Sequence, residues 1–415
     1  MSDALSEIPA HVPPSRVFDF DYFLPTGEFG RAPHIQVSQY LYANAPDIFY
    51  TPRNGGHWVV TRAADGLEVF RNHELFSTDP KYNKWKDLET RHIPLQYDPP
   101  EHDALRRMFT SFFTPIQVKR MEESIRSQMR DLILSFKDRR ECLFVKELSN
   151  RFPVTVFLNM VGAPLGDLDM LVEHATRYFR SQDREESNRG FAALVAYSKD
   201  LIEQRRQHPG DDLISHILAS TPNGAALTDK EVLGAVQFFF LAGLDTVASM
   251  LSGIALFLAR NPGHYAQLVE DPSRIGDAVE ELMRISAPNI SERGAKSDFE
   301  FRGVQFRRGD RILLLPQLYG LDDRELANPT EVDFDRTVSR HLGFGAGVHR
   351  CLGSHLARIE LRIFLEEWIA HFPSFSLAEG ADPKFLGGIV WVPDEIPLVW
   401  AVSSQAGLHP IEEQI

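Results

Sequence analysis

The stretch that most constrains this chain is Phe344-Gly345-Ala346-Gly347-Val348-His349-Arg350-Cys351-Leu352-Gly353. Its glycines let the backbone curl tightly against something flat. Cys351 is one of only 2 cysteines in the chain. It falls where an amphipathic helical pattern begins, running from Leu356 to about Phe372. A helix N-terminus offers unpaired N–H groups and the positive end of the dipole, which favour a thiolate over a thiol. A thiolate held beside a glycine-lined slot, with no partner cysteine, suits one axial position of a haem iron. The plainer reading is a buried structural cysteine next to a flexible loop.

The ten-residue string decides between them. Phe-Gly-x-Gly-x-His-x-Cys-x-Gly resembles the haem-binding signature of the cytochromes P450. That resemblance implies a mainly α fold with small β-sheets, the cytochrome P450 fold. It places haem b (iron protoporphyrin IX) between a long central helix and the helix after the cysteine loop. Cys351 is then the metal ligand, with Phe344, His349 and Gly353 beside the cofactor.

The totals agree with such an enzyme. A chain of 415 residues is long enough for a large buried core. No Gly/Ser-rich linker, low-complexity tract or repeat divides it, so a single domain over 1–415 is expected, with 1–33 mostly irregular. A net charge of −14 argues against nucleic acid or an anionic membrane as partner. Two cysteines exclude a disulfide framework and a cysteine-rich zinc site, and suit a reducing compartment. No apolar run reaches the roughly 18 residues a membrane span needs, and Met1 to Pro14 lacks the regions of a signal peptide. A cytoplasmic, monomeric protein is the expectation.

Patterning predicts a hairpin from Asp47–Thr51 and His57–Thr61 around Asn54-Gly55. Helices are expected over 101–137, 148–161, 166–182 and 190–207. The most legible helix opens with Thr228-Asp229-Lys230-Glu231, a capping box, and runs to Arg260 before Asn261-Pro262. A shorter helix covers Ile275 to Ile285, and a β-like stretch runs from Phe299 to Leu315. Residues 316–343 read as irregular, long for a structureless connection, so something should brace them.

Inside the long helix, Phe238-Phe239-Phe240-Leu241-Ala242 is apolar on all sides and should be buried. Gly243, Leu244, Asp245 and Thr246 follow. Mid-helix glycine costs about 1 kcal/mol relative to alanine, and a buried aspartate costs more unless paired. Thr246 is placed to bond back to the carbonyl of Ala242 and bend the helix. Ala-Gly-x-Asp-Thr resembles the family's oxygen-activation motif, which makes Asp245 and Thr246 the catalytic pair that relays protons as O2 is cleaved. Glu281 and Arg284 resemble its Glu-x-x-Arg pair, with Arg336 as a third member of a structural triad. Arg293, His349, His102 and Arg106 match its propionate-binding positions. No dinucleotide fingerprint, phosphate loop, Gly-x-Ser-x-Gly elbow or His-Glu-x-x-His pair is present, so electrons must arrive from another protein.

The likeness is closest to the bacterial camphor-hydroxylase subfamily. It rests on His11-Val12-Pro13, Arg16 to Asp21, Asn54 to Trp58, Ile202 to Gln207, Gly243 to Val247 and Pro397 to Trp400. It implies a [2Fe–2S] ferredoxin with its reductase as electron donor. Departures concentrate in the substrate pocket. Thr90 replaces the tyrosine that binds camphor's ketone, and His92 replaces a phenylalanine. Asn289 and Ser291 replace an apolar and an acidic residue, and Phe238 and Leu241 are enlarged. With Ile389 and Val390 these predict a small, apolar, cyclic terpenoid or norisoprenoid, with camphor a poor ligand. A haem-thiolate peroxygenase, a haem sensor or electron carrier, and a cofactor-free helical binding protein are the alternatives.

Overall fold

A computed structural model describes residues 5–23, 29–83, 90–181, 183–336, 341–388 and 390–401. Helices dominate: α1 (Pro33–Asn44), α2 (Ala63–Arg71), α3 (Glu101–Thr110), α4 (Pro115–Phe136), α5 (Phe152–Met160), α6 (Leu168–Arg180), α7 (Arg184–Gln207), α8 (Leu213–Ala219), α9 (Asp229–Gly243), α10 (Thr246–Arg260), α11 (Pro262–Glu270), α12 (Ile275–Ser286), α13 (Pro316–Tyr319) and α14 (Ser354–His371). The strands are short: β1 (Ile48–Thr51), β2 (His57–Val60), β3 (Phe76–Ser77), β4 (Glu141–Leu143), β5 (Ser291–Ala295), β6 (Phe299–Phe301), β7 (Val304–Phe306), β8 (Arg311–Leu314), β9 (Ser376–Leu377), β10 (Phe385–Leu386), β11 (Val392–Pro393) and β12 (Pro397–Val399).

Local chemistry sets several boundaries. Thr228 and Glu231 form the expected capping box: Thr228 N–H donates to the Glu231 carboxylate at 2.8 Å and its hydroxyl receives Glu231 N–H. The pattern over 101–137 divides into α3 and α4. Pro115 has no N–H to continue a helix but suits its first turn, and Thr114 caps α4 by accepting from Gln117 N–H at 3.2 Å. The helix expected from Thr228 to Arg260 is also two. It opens at Leu244-Asp245, where Asp245 has φ −125°, and α10 restarts with Ser249 N–H bonded to the Asp245 carbonyl. By length and composition Asp229–Arg260 would suffice to cross a membrane, contrary to the sequence expectation, yet 61% of its apolar window is buried inside the protein. It is a core element.

The largest sheet has the order β1-β2-β8-β5-β3. The β1–β2 hairpin forms as expected, pairing Thr51 with His57 across a turn in which Asn54 and Gly55 take positive φ. Strand β8 runs parallel to β2 and antiparallel to β5, setting Arg293 opposite Ile312. Strand β5 carries no alternating sequence pattern and was not anticipated. One apolar core gathers around this sheet, α10 and Trp368 of α14, and another around Phe157, Phe239 and Phe240. Leu356 of α14 packs against both, so α9, α10 and α14 lie where the cores meet.

The irregular stretch after α13 is braced by one carboxylate. Glu281 receives two hydrogen bonds from Arg284 at 2.8 Å, one from Arg336 at 3.0 Å and one from Asp333 N–H at 3.1 Å. Arg284 also donates to the carbonyls of Gly320, Pro329 and Glu331. Both members of the central pair are fully buried. A Cβ on Gly320 would stand 2.2 Å from the Arg284 carbonyl oxygen, so only glycine fits there. Lysine offers a point charge where this site needs a planar fork of donors. Arg284→Lys should therefore cost about 3–5 kcal/mol, read as a lower urea midpoint at unchanged slope.

Candidate functional site

The cysteine loop is shaped by its own backbone. Cys351 N–H donates to the Phe344 carbonyl at 2.9 Å, and Gly345 N–H to that of Leu342 at 2.8 Å. Gly347 has φ +70°, and a Cβ on it would stand 2.5 Å from the Phe70 carbonyl oxygen; glycine is required on both counts. Helix α14 starts at Ser354, three residues after Cys351. Cys351 has accessible surface, yet its thiol lies deep, because burial pushes it above the ordinary thiol range. The Gly353 amide, Arg106, Arg350 and Arg358 pull the other way without prevailing. Burial thus opposes the thiolate that a helix terminus favours; coordination to a metal would deprotonate the thiol outright.

A group of bases, Arg293, His349, His102 and Arg106, gathers near the cysteine loop, and of these His102 is paired with a carboxylate, Asp103, at 3.1 Å from its Nδ1. Arg293 is buried and held to about 10 by burial; its recorded hydrogen bond goes to the Glu292 carbonyl, and its guanidinium lies over Phe70. His349 bonds the Thr78 hydroxyl at 3.2 Å and meets the His102 ring edge-on at 4.5 Å. Burial first, then Arg293, His102 and Arg106, push His349 well below an ordinary imidazole. His102 is lowered too, chiefly by burial, and its Nε2 has no partner. Arg106 donates to the Arg350 carbonyl, next to Cys351. Gln317, fully buried in α13 just beyond β8, leaves both its polar atoms unpaired. Cations depressed by mutual repulsion and desolvation, beside orphaned donors, fit a ligand that brings carboxylates. The haem propionates are such groups.

Across α9 and α10, Phe238, Leu241, Ala242, Thr246 and Val247 are accessible, while Phe239, Phe240, Leu244, Asp245 and Ala248 are buried. The open face therefore runs through the helix break. Thr246 donates its hydroxyl proton to the Ala242 carbonyl at 2.9 Å, as the sequence suggests. Asp245 is held in a buried pair: Arg180 at the end of α6 donates to one oxygen at 2.9 and 3.1 Å, and Ser249 to the other at 3.2 Å. Both side chains of the Arg180–Asp245 pair are almost wholly buried. Arg180 was not anticipated; nothing local marks it. Gln317 could have been flagged as the polar residue in Leu313-Leu314-Leu315-Pro316-Gln317.

The expected substrate residues fall into groups. The Thr90 hydroxyl donates to the side-chain amide oxygen of Gln237 in α9 at 2.8 Å. His92 is buried, and its backbone N–H bonds Gln96. Asn289 and Val390 meet in an isolated antiparallel bridge. Ile389 lies outside the described residues.

The family model of cytochrome P450 matches residues 154–399. The chain belongs to the cytochrome P450 family. It is 33% identical to a probable cytochrome P450 127A1 of Sinorhizobium fredii, over 95% of this chain and 97% of that one. It is 30% identical to cytochrome P450-terp of a Pseudomonas species, over 82% and 87%. The crystal structure of cytochrome P450 CYP101C1 superposes with a TM-score of 0.87 at 33% identity, covering 95% of this chain and all of that one. The fold is that of the family, similar to its camphor-type members, and the cofactor is haem b.

Removing one charge-assisted hydrogen bond to a haem carboxylate forfeits about 1.5–3 kcal/mol. Arg293→Gln should thus speed haem transfer to a haem-free scavenger globin by about tenfold or more, with the far-ultraviolet spectrum unchanged.

Proposed function

We propose that this cytochrome P450 is a monooxygenase that inserts one oxygen atom of O2 into a C–H bond of a small, apolar, cyclic terpenoid or norisoprenoid, with electrons from a ferredoxin. The observation that carries this reading is the deep, accessible Cys351 in the same structure as a helix opened at an Asp-Thr step. Cys351 would be the sole protein ligand to iron. Arg293, His102, His349, Arg106 and Gln317 would hold the propionates, and Phe344 and Gly353 would flank the ring. Bound haem supplies the iron at which dioxygen is reduced and its O–O bond broken.

The chain's own residues do the rest. Thr246 spends its proton on the Ala242 carbonyl, so its oxygen faces the open stripe as an acceptor and fixes a donor there. Asp245, tethered by Arg180 and Ser249, would pass protons from the Arg180 side of the helix to that donor. The break matters because an unbroken helix would commit these backbone groups to its own ladder. Phe238 and Leu241 offer apolar surface, with Val390 buried behind Asn289 in the bridge they share, so most substrate affinity should come from area removed from water. Asn289 would supply the one polar contact for an ether or carbonyl oxygen. An acidic ferredoxin would be steered to Cys351 by Arg106, Arg107 and Arg350, a local positive patch on an acidic protein.

Two experiments test this. In the reduced carbon monoxide complex, Cys351→His should lose the red-shifted Soret band of a thiolate haem. Cys142→Ala should keep it, since burial holds the Cys142 thiol far above its usual range; the opposite outcome would reject Cys351. Positioned proton transfer contributes typically about 10²–10⁴-fold. Thr246→Ala, with a terpenoid that shifts the Soret band, should still consume reductant but divert most of it to peroxide. Unchanged coupling would exclude the relay, and camphor binding more tightly than every other terpenoid tried would exclude the substrate assignment.

A further inference from the structure

Glu280 and Glu281 are consecutive on α12, so their side chains leave the helix about 100° apart. Glu281 organises the stretch before the cysteine loop. Glu280 reaches the loop itself, through a separate set of partners. Its carboxylate receives Arg358 of α14 through both Nε and Nη2, the latter at 2.8 Å. The Oε2 atom also faces His341 Nε2 at 3.3 Å. Burial opposes the charge on Glu280, but the hydrogen bonds of Arg358 and His341 prevail and hold it down to about 2.

Both partners then act on the loop. The Arg358 guanidinium lies 4.5 Å from the ring centre of Phe344, whose carbonyl receives Cys351 N–H. His341 Nδ1 receives Gly343 N–H at 3.2 Å. That bond fixes the tautomer: Nδ1 is the bare acceptor and Nε2 carries the proton toward Glu280. A Cβ on Gly343 would sit 3.1 Å from both His341 Nδ1 and the Ala287 Cβ, so the loop enters through a tight gap. Glu280 thus reaches the residue whose carbonyl orients Cys351 and, through His341, the turn that leads into it.

We propose that Glu280 is a positioning residue for the axial cysteine, acting through Arg358 on Phe344 and through His341 on Gly343. Its role is distinct from that of its neighbour Glu281. The proposal rests on the reading of Cys351 as the iron ligand. Without Glu280 the guanidinium keeps only the Ser354 carbonyl at 3.3 Å, the imidazole has no reason to keep its tautomer, and the segment 341–344 loosens while the rest of the fold stands.

The test uses the holoenzyme and the variants Glu280→Gln, His341→Asn and His341→Gln. Three quantities are read: the urea midpoint, hydrogen exchange of the segment 341–346, and the rate at which the reduced carbon monoxide complex loses its thiolate Soret band in mild denaturant. Glu280→Gln should speed loss of the band by about tenfold, the equivalent of one charge-assisted hydrogen bond, and speed exchange at 341–346. Exchange in α4 and α10 should not change. Asparagine can still accept from Gly343 N–H, so His341→Asn should keep the Gly343 amide protected. Glutamine reaches Glu280 instead, so His341→Gln should expose that amide. A Glu280→Gln protein whose band is as durable as the parent's overturns the proposal, as does faster exchange spread evenly over the whole chain. A parent without the thiolate band would overturn the assignment of Cys351 and the proposal with it; a parent that has the band isolates failure to Glu280.

Discussion

The Arg284–Glu281 ion pair is the contact on which the cysteine side of this protein depends. Two charges this deeply buried are expensive, and their attraction repays the cost only when every remaining donor and acceptor is matched. Here they are: the guanidinium serves a carboxylate and three backbone carbonyls from a stretch with almost no regular structure. Backbone that would otherwise need a helix or sheet to satisfy it is satisfied by one side chain. Residues 320–336 therefore follow a fixed path after α13, although they form no ladder of their own.

The site beyond this path is a meeting of opposites. On one side stand bases whose charge burial disfavours; on the other runs an apolar helix pair, open only where its ladder lapses. Neither surface is favourable alone. Desolvated cations want carboxylates, and an apolar stripe wants flat apolar area. A haem, with two propionates on one edge of a largely apolar disc, answers both. The energy lost by keeping such surfaces apart from one another is recovered when the cofactor joins them, which ties haem binding to stability.

Much of this was legible in the sequence because it is local. The capping box at Thr228, the hairpin around Asn54-Gly55 and the glycine-rich cysteine loop each satisfy their own backbone within a few residues. What was missed depends on distant partners. The division of 101–137 hinges on Pro115, which was readable, but β5 has no alternating pattern and forms because β8 and β3 flank it. The thiol of Cys351 was read from its helix terminus as favouring a thiolate, and burial opposes this, raising the thiol against the Gly353 amide and three nearby arginines. Thr90, the position the resemblance sets in place of a ketone-binding tyrosine, gives its hydroxyl proton to the Gln237 side chain, 147 residues away, a partner no local pattern announces.

By itself the sequence determined which groups are chemically able to act: a lone cysteine in a glycine loop, an Asp-Thr step in an apolar helix, a set of bases, and consecutive glutamates. Those are matters of side-chain chemistry and short-range backbone geometry. The tertiary structure decided what each is bonded to. It gave Asp245 to Arg180, 65 residues earlier in the chain, opened the helix at Leu244 and divided Glu280 from Glu281 by direction. Sequence patterns report periodicity and local satisfaction; the partner of a buried charge is chosen by packing, since whichever complementary group the fold brings within about 3 Å removes the desolvation cost.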